Sequence, residues 1–222
     1  VAAERRERMR RRLIESAMIV FAEKGVGASI IPDVVAAAEV SQGSFYNYFR
    51  TNEDLLAAVS DELSGEMVQL IEPVVGDITD PALRVATAMR CYLHFARSNR
   101  LLARFLAGAG LRLVAQQSAT FRYLPDDLEE GQRRGDFADV PLDVVLDLIA
   151  GAGLVAIDRM ARGRTPKDYP EKIVAAILRT LGMSVADAER ITTPPLPKLT
   201  PAAESLLARA QARAAIQAPA GA

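Results

Sequence analysis

The sequence predicts an all-α protein, on three observations. Apolar residues recur at steps of three and four along almost the whole chain, the period of a helix with one buried face. No segment alternates apolar and polar residues as a half-buried strand does. Glycine, proline and Ser/Thr/Asp punctuation falls where such helices would begin and end.

Composition narrows the function classes. Hydrophobic residues make up 50% of the 222 and charged residues 25%, as in an ordinary globular protein. The net charge is −1, so a nucleic-acid surface, if present, must be local. One cysteine (Cys91) and one histidine (His94) exclude a disulfide framework and a Cys/His zinc site within one chain. No cofactor is indicated. No apolar run reaches the roughly 20 residues of a membrane span. The opening VAAERRERMRRR lacks the apolar core of a signal peptide. A cytoplasmic setting without membrane contact is expected.

In chain order, Leu13, Ala17, Val20 and Phe21 define a first helix that Gly25 stops. Val34, Val35 and Ala38 mark a short second helix near Ser29, with Pro32 confined to its first turn. Ser41 caps a third over 41–47. Thr51 and Asp54 form a capping box for a fourth, which carries Leu55, Leu56, Val59 and Leu63 towards Pro73. Asp80-Pro81 opens a fifth with Ala82, Ala86, Met89, Leu93 and Ala96. Residues 99–108 form a sixth, and 111–134 a seventh that Pro125 kinks or splits. Residues 141–162 are apolar nearly all round, which predicts burial on every side. Gly151-Ala152-Gly153 within them would let another helix approach closely. Residues 167–182 repeat the theme with Ile173, Val174, Ile177, Leu178 and Leu181. TTPPLPKLTP is a stiff linker, and 201–217 a separate, weakly amphipathic helix.

Two short helices joined by about three residues, 38–40, are the plan of a helix-turn-helix, whose second helix enters the DNA major groove. The stretch VSQGSFYNYF fits a reading helix. Gln42 would hydrogen-bond base edges. Gly43 would bring the backbone close to DNA, and Ser44 is small and able to donate or accept. Tyr46, Asn47 and Tyr48 would bond phosphates, while Phe45 and Phe49 anchor the opposite side. An exposed helix with ordinary turn residues is the bland alternative on pattern alone.

Residues 13–56 resemble the DNA-binding domain of TetR-family transcriptional regulators. The resemblance is carried by Ala17, Phe21, Gly25, Ser29, Val34, Val40-Ser41, Gly43-Ser44-Phe45-Tyr46, Tyr48-Phe49 and Glu53-Asp54-Leu55. EGQRRGDF at 130–137 and LRTLGM at 178–183 extend it more loosely. It implies an N-terminal three-helix helix-turn-helix DNA-binding domain (1–56) and a C-terminal helical ligand-binding and dimerisation domain (57–191). Residues 192–222 are left as linker and helical tail. The implied protein is a homodimeric, ligand-responsive repressor on a near-palindromic double-stranded operator, with an unidentified small-molecule effector.

The chain departs from the family where a glycine is usual at Glu39, a lysine at Asn52, two threonines at Ser29-Ile30, and a polar or basic residue at Pro32. Phosphate contacts from those helices should be poorer than the family's. Six arginines against two glutamates in the first twelve residues, Arg5 and Arg8 among them, offer compensation as a basic arm. The expected DNA contacts are therefore Ser29, Ser41, Gln42, Gly43, Ser44, Tyr46, Asn47, Tyr48, Asn52, Arg5 and Arg8.

By the same resemblance, the pocket lies between the fourth to eighth helices. Polar candidates for its lining are Arg90, His94, Arg104, Arg112, Gln116, Gln117, Tyr123 and Asp147. His94 reads equally as exposed or satisfied within the core. Asp147 and Asp158 stand out on an apolar helix, since burying an unpaired carboxylate is costly. Leu148, Ala152, Val155, Ile173, Ile177 and Leu181 are the expected dimer contacts. An enzyme is not expected, because one histidine, one cysteine and no phosphate loop leave little to catalyse with. The remaining alternative is an all-α protein–protein adaptor that has kept the fold without DNA binding.

Overall fold

The computed structural model describes residues 2–27, 30–110, 112–113, 124–163 and 165–217. Among the described residues the elements are α1 (Ala2–Lys24), α2 (Ile31–Ala38), α3 (Gln42–Tyr46), α4 (Asn52–Val75), α5 (Pro81–Ser98), α6 (Arg100–Ala109), α7 (Leu124–Arg134), α8 (Leu142–Ala161), α9 (Tyr169–Thr180), α10 (Val185–Thr192) and α11 (Leu206–Gln217). All are helices, as the apolar spacing predicts.

Local chemistry sets several helix starts. Ser41 Oγ accepts from Ser44 N–H at 3.1 Å. Thr51 and Asp54 close the capping box, with Asp54 N–H to Thr51 Oγ1 at 3.0 Å and Thr51 N–H to Asp54 Oδ2 at 3.2 Å. Asp80 accepts from Leu83 N–H at 3.0 Å and Pro81 occupies the first turn. Ser184 does the same for Asp187 N–H at 3.1 Å. That last cap opens α10, which periodicity missed because eight residues carry too few apolar positions; Ser184-Val185-Ala186-Asp187 was its signal. Helix α4 continues past Pro73 to Val75.

The head is α1 to α3, with Leu13, Ala17, Phe21, Val34, Phe45 and Leu55 fully buried between α1, α2, α3 and the start of α4. The turn after α2 is a Schellman motif: Val40 N–H reaches Val35 O at 3.1 Å and Glu39 N–H reaches Ala36 O at 3.0 Å. Glu39 therefore stands in the left-handed region, φ 53 and ψ 46, which glycine enters most easily. A side chain there costs about 1–2 kcal/mol. Its exposed ion pair with Arg12, 2.5 Å, offsets little of that. Glu39→Gly should therefore raise unfolding stability by about 1 kcal/mol, read as a higher urea midpoint; an unchanged or lower midpoint would show that the turn is not strained.

The body is built around α5, which packs on α4, α7, α8, α9 and α10. Two close approaches fix its corners. A Cβ on Gly131 would lie 2.4 Å from Phe137 Cδ2, which gives the EGQRRGDF stretch a steric reason. A Cβ on Gly108 would lie 3.0 Å from Phe21 O, so glycine lets α6 seat against the end of α1. Beside it Phe21 and Phe105 pack at 6.2 Å between centroids, and Arg112 Nη1 donates to Val26 O at 2.8 Å. This joint ties head to body.

Two expectations change. Helix α8 is not buried on all sides: Val144, Leu148 and Val155 are 45%, 44% and 59% exposed. The tail is not a detached element: Leu206, Leu207 and Ala210 are buried as α11 packs on α1, α4 and α6.

Candidate nucleic-acid interface and cavity

Helix α3 presents one buried and one free face. Phe45 is fully buried and Phe49 nearly so, 6.0 Å apart between ring centroids. Tyr46 stacks edge-on against Phe45 at 5.4 Å while staying half exposed. Gln42, Gly43 and Asn47 are exposed, and Ser44 and Tyr48 are half-buried. Around Gly43 no described atom lies within 4 Å of where a Cβ would stand. A glycine inside a helix costs roughly 0.5–1 kcal/mol relative to alanine. Nothing in the described fold requires a glycine there.

Helix α1 extends the head's reach. Its 23 residues span about 35 Å at 1.5 Å per residue, and residues 2–8 are exposed. The basic start is thus a helical projection rather than an extended arm. Arg5 and Arg8 stand on it. Arg11 pairs with Glu7 at 3.2 Å, and Arg10 lies over the Phe49 ring at 5.9 Å. Asn52 sits in the first turn of α4, half-buried. Ser29 lies outside the described residues.

The body encloses a cavity of about 280 Å³ between α4, α5, α6, α7 and α8. Its walls are apolar, with Leu63, Met67, Phe105 and Ile157 among them. The polar groups are Ser60, Ser64 and Glu72 on α4, Tyr92 on α5, Asp126 on α7, and the Arg84–Asp127 pair at one end. Arg84 donates to Asp127 Oδ1 at 3.2 Å and to Ile78 O at 2.8 Å. Burial raises the Asp127 carboxyl above its usual range, and Arg84 only partly counters it. Burial also raises the Tyr92 phenol, which stays protonated and able to donate.

None of the described polar residues expected to line this pocket does so. Arg90 and His94 face a separate groove between α5, α9, α10 and residues 195–199. There Arg90 Nη2 donates to Pro194 O at 2.7 Å and to Glu171 Oε1 at 3.3 Å. His94 Nε2 lies 2.6 Å from the same carboxylate oxygen. Burial pushes the Glu171 carboxyl up, but the hydrogen bonds from His94 and Arg90 outweigh it and hold it below its usual range. Arg104 is exposed on α6, Arg112 belongs to the head–body joint, and Asp147 is exposed on α8. Asp158 is also on the surface, paired with Arg162 at 3.0 Å. Gln116, Gln117 and Tyr123 lie outside the described residues. The sequence did hold a signal for this cavity's lining: Ser60 and Ser64 are four apart on the same side of α4 as Leu63 and Met67.

Along α8, Val144, Leu148, Gly151 and Val155 fall at steps of four, three and four, the spacing of a helix–helix seam. Ala152 and Ile173 are half-buried. Ile177 and Leu181 are 5% and 1% exposed within the single chain, so they belong to its own core rather than to a free face.

Comparison with known proteins agrees with this geometry. Residues 13–59 match the family described as bacterial regulatory proteins, tetR family. The chain is 28% identical over 175 residues to the HTH-type transcriptional repressor DhaR of Mycobacterium sp. (strain GP1), covering 72% of this chain and 87% of that protein. It is similar to the crystal structure of RolR in complex with resorcinol, with a TM-score of 0.67 at 29% identity, covering 89% of this chain and all of that one. The fold is also that of FadR from Bacillus subtilis, solved with stearoyl-CoA, with a TM-score of 0.59 at 20% identity over 77% of this chain and 96% of that one.

Proposed function

Because the chain belongs to the TetR family and is a DNA-binding transcriptional regulator, we propose that it works as a homodimeric repressor on a near-palindromic operator, released by a small effector. The observation that carries this reading is the exposed polar face of α3 around Gly43, where the fold leaves room for a groove contact. In the proposed complex Gln42 reads a base edge, Ser44 and Asn47 flank it, and Ser41, Tyr46, Tyr48 and Asn52 hold phosphates. Ser29 is assigned a phosphate contact by family resemblance. Arg5 and Arg8, on the helical projection of α1, add sequence-independent grip.

Two reading helices on one dimer must meet the same face of the duplex about 34–36 Å apart for adjacent half-sites. The α8 stripe of Val144, Leu148 and Val155 supports dimerisation, since an apolar seam of this kind calls for cover. The effector proposed is small and mostly apolar, with one or two hydroxyls for Tyr92, the α4 serines or the Arg84–Asp127 pair. The neighbour RolR was solved with resorcinol, a molecule of that class. The cavity touches α4, which runs on into the head, so filling it would tilt the lever that sets the reading-helix spacing.

The test is to select genomic DNA fragments with the purified protein and measure binding of variants to them. Tyr46→Phe should weaken all fragments alike, because phosphates carry no sequence information. Gln42→Ala should relax preference at one base pair per half-site, by roughly 1–3 kcal/mol. A selected motif unchanged by Gln42→Ala would remove that residue from base reading. Resorcinol, used as the probe, should release the bound fragment; full retention at saturating resorcinol would exclude single-ring phenols as the effector class.

A further inference from the structure

The C-terminal helix meets the head and the lever at once. At its start, Glu66 of α4 accepts the backbone N–H groups of Leu206 and Leu207, the second at 3.4 Å. A carboxylate thus sits at the positive end of α11. One turn on, Arg209 Nε donates to Glu15 Oε1 of α1 at 2.7 Å and Arg209 Nη2 to Glu62 Oε1 of α4 at 2.7 Å. These three side chains are only 19%, 14% and 26% exposed. Arg213 Nη2 donates to Ala37 O at 2.8 Å, at the C-terminal end of α2 where a cation is favoured. Gln211 Nε2 reaches Asn99 Oδ1 at 3.2 Å, where α5 meets α6.

The same two turns of α4 serve two neighbours. Ser60, Leu63, Ser64 and Met67 line the cavity, while Glu62 and Glu66 face α11. The tail therefore braces α4 on one side and the cavity's contents bear on the other. The stretch leading to α11 is tethered too: Pro194 O accepts from Arg90, and Leu196 and Leu199 pack on the core.

We propose that Arg209 is a positioning residue: it clamps α1 to α4 and so fixes the head angle on which the spacing of the two reading helices depends. Without its charge, Glu15 and Glu62 would both face a half-buried seam with no counter-ion between them, and the seam would open. This rests on the dimeric-operator reading above, and the test separates the two. The full-length Arg209→Met variant keeps the apolar stem and loses the charge. It is compared with wild type on a selected two-half-site fragment and on the same fragment with one half-site scrambled. Wild type should prefer the intact fragment strongly. Arg209→Met should lose roughly tenfold on the intact fragment, because misaligned heads forfeit the gain from simultaneous engagement, and nothing on the single half-site. Arg209→Lys should restore part of the loss. If Arg209→Met does not fold, Glu15→Gln with Glu62→Gln removes both charged partners at constant shape and should show the same split. Equal losses on both fragments, or none on either, would overturn the proposal and leave Arg209 a stabilising contact. A wild-type protein that does not distinguish one half-site from two would overturn the dimeric-operator reading, and the proposal with it.

Discussion

Leu148→Glu combined with Val155→Glu should turn the protein into a folded monomer. Both side chains are exposed in the single chain, 44% and 59%, so the charges meet water and disturb no internal packing. In the proposed dimer each would be covered by its counterpart's helix. Burying one such side chain contributes about 2 kcal/mol, and a two-fold axis doubles the count to four. Losing that, and placing four carboxylates in the seam, should weaken association by at least roughly 10⁴-fold. Sedimentation at micromolar concentration would read it, with helix content unchanged. A double variant that still sediments as a dimer would move the interface away from α8. Ile177→Glu is the informative contrast. At 5% exposure within its own chain it should unfold the body rather than separate protomers, because a charge would be buried unpaired.

Phe45→Ala should abolish DNA binding while leaving the body intact. Phe45 is fully buried, and truncating such a ring costs about 3–5 kcal/mol through lost transfer energy and the cavity left behind. Helix α3 has five residues, far below the length at which a helix holds itself together in water. Its orientation depends on Phe45 and Phe49 gripping α1, α2 and α4. The expected signature is a loss of retention on DNA with preserved dimerisation, and a new low-temperature unfolding step for the head. Phe45→Leu, which refills most of the space, should recover much of both. DNA affinity unchanged by Phe45→Ala would mean that α3 is not the reading element.

The head was legible in the sequence because its signals are local. Gly25, Ser41, and Thr51 with Asp54 each act within one turn of chain, and each stands where the spacing put it. The exposed polar face of α3 was legible for a related reason. Gln42, Gly43, Ser44, Tyr46 and Asn47 are a poor composition for a core and break no rule on a surface. Glu39 shows the limit, since the sequence marked it as a departure but only the backbone shows that it occupies a left-handed position.

The body was less legible, because its decisive contacts depend on how helices are rotated about their axes. Periodicity marks apolar residues but does not say which of two apolar faces meets the chain's own core. Ile177 and Leu181 turned inward, whereas Leu148 and Val155 turned out. The same reason separates the polar residues of α5: Arg90 and His94 sit on the side that meets α9 and α10, and Tyr92 on the side that meets the cavity. The tail's docking is the extreme case. Arg209 finds Glu15 across 194 residues of chain and Glu62 across 147, and no local pattern encodes such a meeting. By itself the sequence determined most of the helices, their capped ends and the exposed polar face of α3, because capping, turn geometry and helical spacing act over a few residues. Tertiary structure decided the free seam, the cavity and the tail clamp, because those follow from the packing angles of helices far apart in the chain.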